Sequence, residues 1–358
     1  MPATRIDVSR FLELSAELPV FDVRSEGEFA HAHFPGAHSL PLFNNEERSV
    51  IGTAYKQESQ QKAIKIGLQY FGPRMVSMVE AVERQLEGRQ RKAVMVYCWR
   101  GGMRSGGVAW LLDLYGFEVY TLIGGYKAFR TWSIRQMSRE YPLQLVGGYT
   151  GSGKTEVLAE LRRKGEAVVD LEALASHKGS AFGNIGMTNQ PSQEMFENML
   201  GLALWQAETK ATASNKGIWV EDESQRIGSV NIPTPLYQFM LGRPVYFLEI
   251  PFEERVRHLE RGYGKADREK LVNAILRIQK RLGGLETKNA INHIIEGNIA
   301  AGFAILLRYY DKFYRKSLEL KADMASQVIP ICCEQVDARS NALQILSQQT
   351  KQEHARTI

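Results

Sequence analysis

The chain has only three cysteines in 358 residues, and two of them, Cys332 and Cys333, are adjacent. Adjacent cysteines rarely bridge each other and no spaced set remains, which excludes a disulfide framework and points to a reducing compartment. Paired Cys-x2-Cys spacings and Cys/His clusters are missing, so no bound structural metal is expected. No apolar run approaches the roughly 20 residues that cross a bilayer. The opening Met-Pro-Ala-Thr-Arg-Ile-Asp has no hydrophobic signal core. The expectation is a cytoplasmic protein without membrane contact. Neither sign of charge dominates: 45 Lys and Arg against 40 Asp and Glu leave a formal +5. That mild excess is compatible with an anionic partner but does not demand one. The hydrophobic content of 44% is enough for full cores, and the length allows two domains or three.

What is present is concentrated in two loops. Val94-Met95-Val96-Tyr97 is a β-branched, apolar run that stops at Cys98 and continues as Trp99-Arg100-Gly101-Gly102-Met103-Arg104-Ser105 before a helix. In an open α/β sheet, ligands sit at the carboxyl ends of strands. Backbone N–H groups of such a loop converge on an anion, and Arg100 and Arg104 add positive charge. Both effects favour a thiolate, the nucleophilic form of Cys98. The bland alternative is a core cysteine at a strand end. Upstream, Val20-Phe21-Asp22-Val23-Arg24 reads as a strand, and His33-Phe34-Pro35-Gly36-Ala37 as a turn into another. The order Asp-Val-Arg, His-Phe-Pro-Gly-Ala, strand-Cys-loop-Arg resembles the rhodanese family, a small doubly wound α/β fold. The Cys-x5-Arg loop is one residue longer than the usual rhodanese loop and resembles that of phosphatase relatives on the same fold. Those relatives commonly carry His before the Cys, where this chain has Tyr97. The extra room implies a substrate bigger than sulfide, or one bearing a phosphate group, with Arg104 as bidentate partner for such oxygens. Asn44 to Lys56 reads as a polar insertion with little periodicity, longer than a plain rhodanese domain needs and so a candidate functional segment, with a surface loop as the bland alternative.

Pro142 follows a linker at 135–141, and Leu143-Gln144-Leu145-Val146 begins a second domain. Gly148 to Thr155 matches G-x4-G-K-T between a strand and a helix. Gly148, Gly151 and Gly153 let the backbone turn its N–H groups onto phosphates, with Ser152 in the loop. Lys154 reaches the terminal phosphates, and Thr155 is a candidate Mg²⁺ ligand. Trp219-Val220-Glu221-Asp222-Glu223 ends an apolar strand in acids, of which Glu221 and Asp222 are the candidates to face the metal. His177 and Lys178 lie where an acceptor binds in kinase-like P-loop folds. From Glu253 the chain is helical and basic. Arg255, Arg261, Arg277 and Arg281, with Tyr263, Tyr309, Tyr310 and Tyr314 interleaved, form a candidate RNA-tracking surface. A polar Gln- and Ser-rich tail past Ile331 is expected to fray.

The fold class is therefore α/β: an N-terminal rhodanese-like doubly wound domain over 1–136, then a P-loop NTPase/kinase-like α/β domain with a helical C-terminal part over 137–320. Residues 321–358 form a tail region. Four motifs carry a sharper resemblance: Asn45-x-Glu47-Arg48-x3-Gly52-Thr53-x-Tyr55-Lys56, Tyr97-Cys98-Trp99-Arg100-Gly101-Gly102-Met103-Arg104-Ser105, the P-loop, and His177-Lys178-Gly179-Ser180-Ala181-Phe182-Gly183. Over residues 10–320 they resemble bacterial tRNA 2-selenouridine synthases. That resemblance implies a cytoplasmic transferase, acting as a monomer on the wobble uridine of tRNAs for Lys, Glu and Gln. The implied co-substrates are geranyl diphosphate and selenophosphate, the latter furnished by a separate selenophosphate-supplying enzyme. The implied reaction geranylates the 2-thiouridine sulfur and then exchanges it for selenium carried by Cys98. Two other classes fit the motifs: a P-loop kinase or NTPase with a regulatory rhodanese domain, and a Cys-x5-Arg phosphatase fused to a nucleotide-binding module. ATP turnover without RNA marks the first, and phosphate release from an aryl phosphate the second.

Overall fold

The computed structural model describes the backbone of residues 3–214, 216–323 and 327–357, and their side chains except those of 316–323 and 353–357. The ends of the regions expected at 1–136 and 321–358 (residues 1, 2 and 358), together with 324–326, lie outside the described residues. The chain divides into two compact units, Met1–Gln136 with Glu197–Leu202, and Met137–Phe196 with Ala203–Ile358. Among the described residues no helix is long and apolar enough to cross a membrane.

In the first unit the elements run β1 (Thr4–Ile6), α1 (Val8–Leu14), β2 (Val20–Asp22), α2 (Glu26–His31), β3 (His38–Ser39), α3 (Asn45–Gln57), α4 (Gln60–Phe71), α5 (Met75–Leu86), β4 (Ala93–Tyr97), α6 (Met103–Tyr115), β5 (Glu118–Leu122) and α7 (Gly125–Gln136). The strands form one parallel sheet in the order β1-β5-β4-β2-β3. β4 is central and its five residues are all buried, as a strand covered on both faces requires. Val94 and Val96 pack with Val82 and Leu86 of α5 and with Val108 and Leu112 of α6. The strand order reverses at β4, which opens a crevice beyond its carboxyl end. Cys98 lies there.

Residues 44–56 are not a loop. Asn44 accepts from the Glu47 N–H, and the Glu47 carboxylate accepts from the Asn44 N–H, a reciprocal cap that starts α3. The helix buries only Ala54, so no apolar stripe marks it in the sequence.

The second unit runs β6 (Leu143–Gly148), α8 (Lys154–Arg163), β7 (Ala167–Val169), α9 (Leu171–Ala175), α10 (Gln193–Ser214, of which Glu197–Leu202 group with the first unit), β8 (Ile218–Glu221), a small hairpin of β9 (Arg226–Ile227) and β10 (Val230–Asn231), α11 (Thr234–Leu241), β11 (Val245–Glu249), α12 (Phe252–Tyr263), α13 (Arg268–Leu282), α14 (Gly284–Glu296), α15 (Ile299–Asp323), β12 (Val328–Cys332) and α16 (Ala338–Thr357). Its main sheet is parallel, in the order β12-β11-β6-β8-β7, and the chain changes direction across it at β6, immediately before the P-loop. Helices α12 to α15 build a second core around Leu259, Tyr263, Ile275, Phe303 and Leu307.

Past Ile331, where partial fraying is expected, Cys333 and helix α16 pack into this unit's core instead. β12 pairs in parallel with β11, from Val328 opposite Val245 to Cys332 opposite Glu249. Ile329, Ile331 and Cys333, with Ala342 and Ile345 of α16, are buried in one core with Val157 and Leu158 of α8. A handful of apolar positions on a polar segment suffices when each is completely buried, at about 25 cal/mol per Å² of apolar surface.

Candidate active sites

The Cys98 loop is built by close approach. Gly101 (φ +64°) has no room for a side chain: a Cβ would lie 2.4 Å from the Leu122 carbonyl oxygen. Gly125 (φ +58°) is tighter, with the Cys98 carbonyl oxygen 2.2 Å from the same position. The start of α7 clamps the loop, since the Tyr126 N–H donates to Cys98 O at 2.8 Å and the Lys127 N–H to Trp99 O at 3.0 Å. Tyr97, standing where the phosphatase relatives carry His, is buried. It donates to Asp22 Oδ2 at 2.8 Å and accepts from the Phe34 N–H at 3.0 Å. Asp22 holds the buried Arg24 by a fork of hydrogen bonds, and the Arg24 guanidinium stacks 3.9 Å from the centre of the Tyr126 ring. The Asp-Val-Arg signature thus braces the wall of the loop.

Cys98 is 3% exposed at the loop floor. Its Sγ lies 3.2 Å from the Ser105 hydroxyl. Burial pushes the thiol up. The Ser105 hydroxyl, the Ser105 and Gly102 N–H groups and the charge of Arg104 outweigh it, and the net shift is downward. Arg104 Nη1 donates to Glu28 Oε2 at 2.9 Å, and Arg48 reaches the same oxygen at 2.9 Å. Burial opposes ionisation of Glu28, but the Arg104 bond and charge hold its carboxyl below the usual range. Arg100 is exposed on the same loop. Glu28 and Ser105 carry no role in the sequence reading. Ser105 was legible as the residue beside Arg104, but Glu28 arrives from 76 residues away.

In the second unit, Gly151, Ser152, Gly153, Lys154 and Thr155 line one cavity of about 880 Å³. Gly148, Gly151 and Gly153 have φ of +153°, +81° and +78°, a path that side chains disfavour. Lys154 Nζ donates to Gly148 O at 3.0 Å. The Ser152 hydroxyl is buried with no partner among the described residues, a donor left for a ligand oxygen. The Thr155 hydroxyl donates to Glu172 Oε2 at 2.7 Å. Asp222 accepts from the Tyr314 hydroxyl at 2.6 Å, and Glu223 joins the same wall. Loss of water and the neighbouring charge of Glu172 push the Glu223 carboxyl up to about 8.

One part of the remaining wall is apolar and aromatic, with Phe182, Leu259, Tyr263, Phe303, Leu306 and Tyr310, and another is polar, with Glu156, Ser180, Ser224 and His258. Tyr263 and Phe303 stack with ring centres 5.3 Å apart. Lys178 Nζ is 6.0 Å from the Tyr263 ring centre and Lys154 Nζ 6.0 Å from that of Tyr314. The phosphate-seeking lysines therefore border the aromatic wall.

Lys178, Asp222 and Arg261 also line this cavity, whereas Gly148, Glu221, His177, Arg255, Arg277 and Arg281 do not. Glu221 is fully buried and accepts from the Leu171 N–H at 2.7 Å. Desolvation, followed by the charge of Asp170, raises it well above the carboxylate range, so it ties β8 to α9 rather than facing a metal. His177 is buried against Gly183, off the cavity, with Nδ1 unpartnered among the described residues. Burial, then the charge of Arg277, lowers its pKa. Arg255 is 3% exposed and forms a fork with Asp311 at 2.7 and 2.8 Å, so it is not part of an exposed basic surface. Arg277 and Arg281 are exposed on α13, with Arg277 donating to Asn184. Glu172, Glu223, Tyr263 and Tyr314 complete the cavity wall.

A parallel sheet ending in a glycine-and-arginine cysteine loop, followed by a P-loop α/β unit, defines a rhodanese-like and P-loop two-unit protein. The description "Rhodanese-like domain" matches residues 7–131, and "tRNA 2-selenouridine synthase AAA domain" matches residues 141–329. The chain is 35% identical to the tRNA 2-selenouridine synthase of Pseudomonas syringae pv. syringae (strain B728a), across 86% of this chain and 90% of the relative. The Marinobacter nauticus protein of that name is 35% identical across 89% and 94%, and the Hydrogenovibrio crunogenus one 38% identical across 75% and 76%. The chain belongs to the tRNA 2-selenouridine synthase family.

Proposed function

We propose that the protein converts 2-thiouridine at the wobble position of tRNAs for Lys, Glu and Gln to 2-selenouridine in two steps on separate sites. In the first, the sulfur is alkylated by geranyl diphosphate in the P-loop cavity. In the second, selenium derived from selenophosphate replaces the S-geranyl group, and the Cys98 loop handles the selenophosphate.

The observation that carries this reading is the composition of the cavity: a P-loop opens directly onto an aromatic chamber of about 880 Å³. A ten-carbon allylic chain needs apolar walls, and Phe182, Leu259, Phe303 and Leu306 offer them. The diphosphate would lie on the Gly151–Thr155 backbone N–H groups and the Ser152 hydroxyl, with Lys154 leaving Gly148 O to meet it. Thr155, Glu172 and Asp222 offer hard oxygens of the kind Mg²⁺ takes alongside phosphate oxygens. Among the described residues no group of three His, Cys, Asp or Glu could hold an ion, so the diphosphate would supply the remaining donors. Mg²⁺ bound there would neutralise charge on the leaving group.

Sulfur attacks the allylic C1. The C1–O bond breaks with its electron pair going to diphosphate, which Lys154 stabilises, and the N3 proton passes to water. Positive charge grows on the allylic carbon as that bond breaks, and the faces of Tyr263 and Tyr314 beside the two lysines attract it. Arg261 at the cavity and Arg277 and Arg281 on α13 would track the RNA backbone.

The test is nucleoside mass analysis after incubation of 2-thiouridine tRNA with geranyl diphosphate and selenophosphate. Wild type should yield 2-selenouridine, Cys98→Ala should stop at the S-geranyl nucleoside, and Lys154→Ala should leave the RNA unchanged. Unaltered RNA with wild type would overturn the reading.

A further inference from the structure

Between Arg277 and His293 the chain carries Arg277, Lys280, Arg281 and Lys288 against one acid, Glu286. The apolar residues of the same stretch turn inward. Leu271, Ala274 and Ile275 of α13 and Ala290 and Ile294 of α14 are buried in the helical core, which fixes both helices and leaves their charged faces to solvent. A single residue joins them. Gly283 sits at φ +96°, a conformation that side chains disfavour, and the turn sets the end of α13 beside the start of α14. Between the two helices lies an open groove of about 570 Å³. Gln279 and Lys280 of α13 face Gly284, Lys288 and Asn292 of α14 across it, and Ile291 is the one large apolar residue in the lining among the described residues.

We infer that this groove holds the sugar–phosphate backbone of tRNA and grips it without reading base sequence. The inference rests on tRNA being the substrate, and it adds a site to the arginines already assigned to the RNA backbone.

The lining selects the occupant. Lys280, Arg281 and Lys288 make no ion pair or side-chain hydrogen bond among the described residues, so their charge is not spent within the protein. Lysine ammonium groups beside the amides of Gln279 and Asn292 are donors for phosphate and ribose oxygens. Helix α14 starts without a capping side chain, which leaves the N–H groups of its first turn open to a phosphate as well. No aromatic ring lines the groove among the described residues, so an unstacked base has no platform there. A protein partner fits poorly too, because the core of a protein interface is apolar and depleted of lysine. A polyanionic backbone is what remains, and such contacts supply affinity while carrying no sequence information.

The test uses the full chain and two tRNAs, one with uridine at the wobble position and one without. Binding is titrated between about 50 and 200 mM salt. The double variant Lys280→Ala/Lys288→Ala should bind both RNAs about tenfold or more weakly near 0.1 M salt, and the slope of log K against log salt should shrink by about two. Gly284→Glu guards against a folding defect. A Cβ there meets no atom within 4 Å, and a carboxylate is favourable at a helix N-terminus, so this variant should melt no lower than wild type and still lose affinity for both RNAs. Gly284→Ala, which adds no charge, should bind like wild type. Unchanged affinity and slope in the double variant and in Gly284→Glu would overturn the inference and leave the groove to a partner of another class. Weakening confined to the RNA with a wobble uridine would overturn the sequence-independent grip. Wild type that binds neither RNA would instead remove the tRNA reading, and the occupant of the groove with it.

Discussion

Arg104 leaves the head of the Cys98 loop and donates from Nη1 to Oε2 of Glu28 at the start of α2, 2.9 Å away. Both side chains are largely shielded, at 25% and 15% exposure, so the bond orients the guanidinium over the loop instead of leaving it to solvent. Arg104→Ala should therefore lower selenation at limiting selenophosphate by about 10- to 100-fold, the range for losing a hydrogen bond to a charged group. Geranylation should change by less than about twofold, since the proposal assigns that step to the P-loop cavity. Glu28→Gln keeps the shape and removes the charge, and should raise KM for selenophosphate more than it lowers kcat. Steady-state kinetics of the two half-reactions check both. Equal loss in both steps would assign Arg104 to RNA binding or folding.

The thiol of Cys98 should titrate below the ordinary cysteine value. Its burial raises the pKa, but Ser105, Gly102 and Arg104 outweigh that. The reactive form is the anion, so alkylation by a small haloacetamide should rise with pH and level off at a midpoint below that value. Ser105→Ala removes one donor to the anion and should move the midpoint upward. An unchanged midpoint in that variant would show that the hydroxyl does not donate to the sulfur.

Tyr263 separates electrostatics from packing in the aromatic chamber. Phenylalanine keeps the ring face and leucine does not. Tyr263→Phe should geranylate within about threefold of wild type, and Tyr263→Leu should fall by about 30-fold in kcat, the scale of a desolvated cation–π contact. A series of increasingly fluorinated phenylalanines at this position should slow the step progressively, with the stacking partner Phe303 retained. Equal rates across the series would reduce Tyr263 to a packing residue.

How much of this could be read from the chain depends on how far apart the cooperating residues lie. The two loops were legible because their chemistry is contiguous: Cys98 to Arg104 and Gly148 to Thr155 each carry nucleophile or phosphate ligands, glycines and flanking elements within a dozen residues. The parts that were not legible come from elsewhere. Glu28 meets Arg104 across the sheet, Tyr314 of α15 meets Asp222 at the end of β8, and Asp311 of α15 neutralises Arg255 of α12. Arg255 looked like its exposed neighbours because nothing local marks an ion pair formed 56 residues away. The choice of Glu221 over Glu223 turned on which acids face the cavity once β8 ends at Glu221, a geometric question that three consecutive acids leave open. Helix α3 hid for the opposite reason, since its signal is its Asn44–Glu47 cap rather than a buried stripe. Strand β12 hid because it is five residues long with a proline at its centre, and its pairing partner β11 lies far back in the chain.

Glu223 links stability to pH. In the folded chain its carboxyl is pushed up to about 8, against about 4.3 for an unfolded glutamate. Between those values the folded state holds the extra proton, so this group's contribution to stability falls as pH rises from about 4.3 towards 8. Glu223→Gln, which stays neutral, should remove that slope. The variant should melt higher than wild type at pH 8 and close to it at pH 4.5, by thermal scans at fixed ionic strength. Parallel pH profiles in the two proteins would show that Glu223 is ionised in the fold.

The division of labour between the two units is the central claim, and supplying the intermediate tests it directly. A tRNA already carrying S-geranyl-2-thiouridine is incubated with selenophosphate and with wild type, Lys154→Ala or Cys98→Ala, and the nucleosides are weighed. Lys154→Ala, expected to be inactive on 2-thiouridine tRNA, should make 2-selenouridine from the geranylated RNA at close to the wild-type rate, because the step assigned to the P-loop has been done for it. Cys98→Ala should leave the geranylated nucleoside in place. If Lys154→Ala fails on the geranylated RNA as it fails on the thiolated one, the P-loop is needed for selenium exchange itself and the assignment of one step to each site is wrong.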